Sequence, residues 1–339
     1  MPNQFERPMN QQELWREQVS IKNIADFSGI TVDELGEKRY QKVLQDIHDN
    51  PQRENYYREK FNINQQDPNE DAMREKIKAV TAEFMNKLPE KENECRQQID
   101  HCLSIANERG YLQSEPEPLT IIISHSFLHW GSPFRPGKQY LNSHDPTNNA
   151  IIIDIDLPST ILAHEFGHAL STDKKDERSG IKTLVKDEKK QELISKGNQW
   201  LNEGLTIIWE QMTTLDNREV PGRNEKGDPY HWYLEATKLI LTEIDMSPDD
   251  ALKAYFGDKK ILELLRDKFQ QRFHCSIEDL SSLEYKLDID WTKKLVTGQP
   301  LEVTLKKTTN RSLREKLLKL SGMFPNLTLN EEDPEIKLK

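Results

Sequence analysis

The chain has 339 residues, of which 35% are hydrophobic and 31% charged, enough for one large domain or two ordinary ones with highly charged surfaces. With 58 acidic against 47 basic residues the net charge is −11. That balance argues against a general nucleic-acid binder, which needs a basic field. Met1-Pro2-Asn3-Gln4-Phe5-Glu6-Arg7 has no basic segment followed by an apolar run, and no stretch approaches 18 apolar residues. The expectation is therefore a cytoplasmic protein with no signal peptide and no membrane partner. Three cysteines, an odd number, do not make a secreted disulfide framework. Cys95, Cys102 and Cys275 read as reduced core or surface thiols and not as metal ligands.

Residues 10–50 are expected to be helical. Gln11–Ala25 carries apolar residues at helical spacing, and Thr31-Val32-Asp33-Glu34 fits a capping box. Ile21–Leu35, with Gly29 at a turn, has the outline of a helix-turn-helix, but no basic recognition helix follows, so a small helical hairpin fits better. Residues 51–72 are mostly polar and read as a linker or surface loop. Ala72–Arg109 has long helical periodicity, expected to be interrupted at Pro89 and stopped by Gly110. Two β-rich runs follow, Leu119–Ile123 and Asn148–Ile155. Between them lie His125, His129 and His144, with Trp130, Gly131 and Pro133; their irregular spacing suits loop histidines better than a metal site.

The second run leads directly into Ile161-Leu162-Ala163-His164-Glu165-Phe166-Gly167-His168-Ala169-Leu170. This is H-E-x-x-H in an apolar frame, with Pro158-Ser159-Thr160 as a helix start and Ser159 or Thr160 as its cap. Residues four apart share a helix face, so His164 and His168 can direct both imidazoles at one cation. Glu165, about 100° further round, stands where a carboxylate base would serve a zinc-activated water. The other reading is a buried helix with two satisfied histidines.

Ser171–Lys196 is rich in Lys, Asp and Glu and reads as a solvated face or as a lid. Then comes Gln199-Trp200-Leu201-Asn202-Glu203-Gly204-Leu205, opening an apolar helix. H-E-x-x-H followed by W-L-N-E-G resembles the paired zinc motifs of the gluzincin metallopeptidases, the clan of thermolysin-like enzymes and M1 aminopeptidases. The resemblance covers Asn148–Ala236. It implies that Glu203 is the third ligand, completing a His164, His168, Glu203 set around one zinc ion. Glu210 matches the later acidic position of the M1 pattern, where it would orient a histidine; a solvated helix-end residue is the alternative. Residues 169–202 form a longer insert than these families have, and Ile207 stands where the thermolysin-like pattern has Asp. The family's oxyanion donor, a Tyr or His beyond the ligand Glu, would be Tyr233 or His231, with Tyr230 also placed for it. An aromatic cluster with Trp232 is the structural alternative for these residues. By the same resemblance the strand at 149–155 would line the cleft and pair with an extended peptide; an interior strand is the other reading.

Further on, Ser247-Pro248-Asp249-Asp250 is a strong helix start. Helices are expected at 248–256, 258–273 and 276–286, then a less periodic region from Asp288 and a disordered tail over 331–339. The expected fold is α+β, predominantly helical: a gluzincin-like two-subdomain metalloprotease with a small sheet before the H-E-x-x-H helix. Its parts would be an N-terminal helical region (1–70), a zinc-binding subdomain (71–172), a helical subdomain carrying the third ligand (173–290) and an extension (291–339). The expected function is zinc-dependent hydrolysis of a peptide or protein substrate with Glu165 as general base. Lack of the aminopeptidase G-x-M-E-N signature leans this towards an endopeptidase. The alternative is an inactive or structural zinc protein acting as an interaction scaffold.

Overall fold

The structure is a computed structural model describing residues 10–60, 63, 70–113, 115–126, 128, 143–158, 160–187, 192–214, 229–277, 279, 289–306, 309 and 311–331. It is mixed α and β, mostly helical with small sheets. By its internal contacts the chain divides into two compact units, Met1–Ser104 with Pro116–Ala169, and Ile105–Glu115 with Leu170–Lys339. No helix among the described residues is long and apolar enough to cross a membrane.

In the first unit, α1 (Gln11–Gln18) ends earlier than its helical spacing predicts, and Val19–Asn23 forms strand β1. The cause is local. Val19 and Ile21 alternate with polar residues in a strand-like way, and Asn23 turns the chain by capping α2 (Ile24–Phe27) with its side-chain oxygen. The capping box at Thr31 is present and opens α3 (Val32–Asp49). The polar stretch expected as a linker includes α4 (Arg53–Lys60). Residues 61–62 and 64–69 of that stretch lie outside the described ones.

Helix α5 (Glu70–Glu108) runs straight through Pro89, where an interruption was expected. A proline inside a helix removes one hydrogen bond and crowds the preceding turn, at about 3 kcal/mol. Burial of Phe84, Leu88 and the Lys91 stem on either side of it favours continuation. The cysteines Cys95 and Cys102 of this helix are buried thiols, as is Cys275.

Strands β2 (Leu119–Ser124), β3 (Ser143–Asp145) and β4 (Ala150–Asp154) join β1 in a sheet of order β1-β2-β4-β3. The first three are parallel, and β3 runs antiparallel to β4. Ile121-Ile122-Ile123 and Ile151-Ile152-Ile153 are buried on both faces, the usual state of central parallel strands. The second β-rich run is thus an interior strand, not a cleft edge: β4 has a neighbour on each side, and the outer position belongs to β3. Residues 1–70, expected as a helical region of their own, contribute β1 to this sheet.

In the second unit the charged insert is not a bare surface segment. It forms an antiparallel sheet of β5 (Thr172–Asp173), β6 (Arg178–Ser179), β7 (Lys182–Asp187) and β8 (Glu192–Lys196). Left-handed backbone at Glu177 and Gly180 makes its tight turns. Helix α7 (Gln199–Thr213) packs on α8 (Pro229–Glu243) so closely that a Cβ on Gly204 would sit 1.9 Å from Thr237 Oγ1. Helices α9 (Pro248–Tyr255) and α10 (Lys259–Phe273) match expectation, with Ser247 capping α9. Of the expected helix 276–286, only residues 276, 277 and 279 are described. Beyond it, α11 (Ile289–Thr297) and a parallel pair, β9 (Leu301–Leu305) and β10 (Leu327–Glu331), flank α12 (Arg311–Met323). The alternation of buried Leu301, Val303 and Leu305 with exposed residues is the strand signal in the region expected to be aperiodic. Residues 332–339 of the expected tail lie outside the described ones.

Removing residues 1–28 takes away β1, uncovers the edge of β2 and loses the burial of Trp15 and Ile24. That burial is worth about 3–6 kcal/mol. The truncated chain should lose its cooperative thermal transition by circular dichroism, whereas an accessory region would leave that transition in place.

Candidate metal centre

The site begins at the end of β4. Asp154 Oδ2 accepts the Ser126 amide at 2.8 Å and its Oδ1 accepts the Asp156 amide at 2.9 Å, so one carboxylate fixes both strand ends. The Ile155 amide donates to Ser124 at 2.9 Å. The Lys91 ammonium donates to the Leu157 carbonyl and meets Glu94 at 3.2 Å, tying α5 to this turn. From here α6 (Thr160–Leu170) starts, with Thr160 its first residue. Ser159 lies outside the described residues.

On α6, His164 is buried, 1% exposed, and His168 half-buried. Their rings meet edge to face with centroids 4.9 Å apart, as the four-residue helical spacing requires. Glu203 lies in the first half of α7, half-buried. One ligand atom from each of His164, His168 and Glu203 lies within 4.8 Å of the others. Among the described residues this is the one group of three His, Cys, Asp or Glu side chains so placed. A tetrahedral zinc with bonds of about 2.1 Å sets its ligand atoms about 3.4 Å apart. Two imidazoles with one carboxylate form a donor set suited to zinc.

Glu165 is buried, 8% exposed, and accepts the main-chain amide of His144 at 2.8 Å. Glu210 is also buried, 3% exposed, so it is not a solvated helix-end residue. Ile207 is buried as well, consistent with a helix that is apolar around most of its girth.

Tyr230, His231 and Tyr233 lie in the first two turns of α8, all half-buried. Tyr233 has aromatic neighbours, with ring centroids 6.0 Å from Tyr230 and 5.9 Å from Trp232. Its carbonyl oxygen would be 2.6 Å from a Cβ on Gly204. The α8 backbone at Tyr233 thus passes the residue next to Glu203, and both the aromatic cluster and the proximity are present.

The loop histidines separate. His125 is buried with Nε2 3.5 Å from Asp156 and its ring edge-on to Phe84. Burial pushes its imidazole below the usual range, while Asp154 and Asp156 pull the other way. His144 is on β3, and His129, Trp130, Gly131 and Pro133 lie outside the described residues.

Two contacts near Glu203 come from tertiary placement. Lys182, on β7, has its ammonium pushed below the usual range by burial, an effect that the Glu203 carboxylate opposes. Glu203 therefore has a cationic neighbour of its own, drawn from an insert where lysines are too frequent to stand out. Next to it, fully buried Asn202 accepts the Ile181 amide at 3.1 Å. Arg178 donates to the carbonyls of Gly180 at 3.1 Å and Tyr255 at 2.9 Å. Thr206 and Tyr255 share a 2.8 Å hydroxyl bond. These contacts fasten the β6–β7 turn to α7 one residue before Glu203.

Comparison with protein-family models, with curated proteins and with solved structures gave no match.

Gly180 has φ +62, and a Cβ there would lie 2.1 Å from Asn202 Oδ1 and 2.6 Å from the Tyr255 ring. Gly180→Ala should therefore destabilise by about 2–4 kcal/mol through strain and overpacking together, read as a lower urea midpoint.

Proposed function

We propose that the chain is a zinc-dependent metallopeptidase, probed best as an endopeptidase. The observation that carries this reading is the approach of His164 and His168, from an H-E-x-x-H helix, to Glu203 of the W-L-N-E-G helix. His164, His168 and Glu203 would hold the ion. Bound there, zinc would supply a water acidified towards a pKa of about 7 and a Lewis acid for the scissile carbonyl.

The remaining work falls to the chain's own groups. Glu165, next to His164 and outside the ligand face, takes a proton from the attacking water as its oxygen bonds to the carbonyl carbon. When the C–N bond breaks, Glu165 returns that proton to the leaving amine. Tyr233 or His231, with Tyr230 as a further choice, would donate to the developing oxyanion, a role typically worth about 10²–10³ in rate.

A second reading is a non-catalytic zinc-holding scaffold. It is favoured by Lys182, whose ammonium is supported by the Glu203 carboxylate against the cost of burial, an electrostatic partner that needs no metal.

Zinc measured by mass spectrometry on protein purified without chelator should be about one per chain. Glu203→Ala should lose most of it. Glu165→Gln should keep the metal while hydrolysis of a broad peptide pool falls by about 10²–10⁴. Full zinc in Glu203→Ala would remove the third ligand, and no zinc in wild type would end the enzymatic reading. Zinc without any Glu165-dependent hydrolysis would leave the scaffold.

A further inference from the structure

Glu165 does not stand alone beside the ligand histidines, because its Oε2 receives the His144 amide at 2.8 Å. His144 is the middle residue of β3 and faces Ile151 of β4 across the antiparallel pair. In such a pair each residue either exchanges both main-chain bonds with its partner or turns both groups outward. An amide committed to Glu165 is turned outward, while Ser143 and Asp145 remain to form the ladder.

The turn behind that amide is pinned at several points. Asp145 accepts the Thr147 amide at 2.9 Å and the Asn148 side-chain amide at 3.1 Å. Asn149 takes the left-handed conformation with φ 47, which Asn tolerates better than most residues. Its Nδ2 donates to the Pro118 carbonyl at 2.9 Å, so Oδ1 is the atom facing His144 Nε2 at 3.2 Å. An amide oxygen only accepts, hence the imidazole carries its proton on Nε2. The His144 ring, the Asn149 side chain and the end of the loop before β2 thereby fix the register of the outward amide.

We propose that His144 is a positioning residue for Glu165. Its outward amide selects one orientation of the carboxylate, and Asn149 holds the strand that carries the amide. A glutamate on a helix has several staggered side-chain wells, and a proton carrier works only from the one that faces the water and the leaving nitrogen. Fixing Oε2 on an edge-strand amide narrows that choice to the wells compatible with the bond. The proposal rests on the reading of Glu165 as the proton carrier.

The test uses full-length protein with ¹⁵N in histidine alone, nine residues in all, and deuterium exchange followed by NMR. His144→Gln assigns the His144 signal by deleting it. In wild type the His144 amide should be protected, and Glu165→Ala should speed its exchange about tenfold or more, the scale of a hydrogen bond to a charged group. The α5 amide of His101 should not change. Glu165→Gln, which keeps an acceptor oxygen, should retain most of the protection. Asn149→Gly keeps the left-handed backbone but removes the side chain, and should speed His144 exchange at least several-fold.

A His144 amide indifferent to Glu165→Ala, with His101 still protected, overturns the proposal. If Glu165→Ala unfolds, His101 loses protection too, and Asn149→Gly then decides. In turnover assays Asn149→Gly should lower kcat about tenfold with KM and zinc content unchanged; loss of zinc in step with kcat would mark a merely structural role and overturn it. The exchange arm needs neither metal nor activity, so a failure of the peptidase reading shows in the zinc and turnover assays and stays distinguishable from a failure here.

Discussion

Asp154 is the residue on which the placement of the H-E-x-x-H helix depends. It ends a strand whose other residues are apolar and buried, and it uses both carboxylate oxygens on main-chain amides, Ser126 on one side and Asp156 on the other. A carboxylate at that depth would be costly without donors, and with two of them it becomes a fixed corner. The exits of β2 and β4 are thereby held together, and the chain enters α6 after one tight turn. Lys91 reinforces the corner from α5.

The helix bearing Glu203 is placed by a different device. Its small residue Gly204 admits the α8 backbone, and its buried Asn202 receives the turn after β6. Arg178 supports that turn on two carbonyls, although burial depresses its guanidinium. The Asn202 oxygen and the Arg178 guanidinium both find main-chain partners at this depth. Their effect is to define the backbone on both sides of Glu203.

The fold was legible where periodicity and capping agreed. Thr31, Ser247 and the isoleucine runs led directly to α3, α9, β2 and β4, since each is decided by interactions within a few residues. The candidate site was legible in His164 and His168, whose four-residue spacing shares one helix face, and in Glu203 only through the resemblance of W-L-N-E-G to a second zinc motif. What escaped depended on distant partners. Val19–Asn23 is helical by spacing and becomes a strand because β2 offers an edge. Pro89 should break a helix and does not, because the flanking residues are buried. Lys182 and the His144 amide act on Glu203 and Glu165 through tertiary placement, and no local pattern announces them. A main-chain donor, above all, is invisible in a sequence, since every residue but proline has one.

The burial of the three cysteines has a consequence for soft-metal chemistry. Burial pushes the Cys95 thiol up to about 12 and the Cys275 thiol up to about 11. A thiol with a pKa of 12 is ionised in only about one molecule in 10⁵ at pH 7, and it is the thiolate that captures zinc, copper or an oxidant. Burial and a raised pKa both make those two sulfurs poor nucleophiles and poor metal ligands while the fold is intact. They would announce themselves only on unfolding, so thiol reactivity and imidazole ligation report on separate events in this chain.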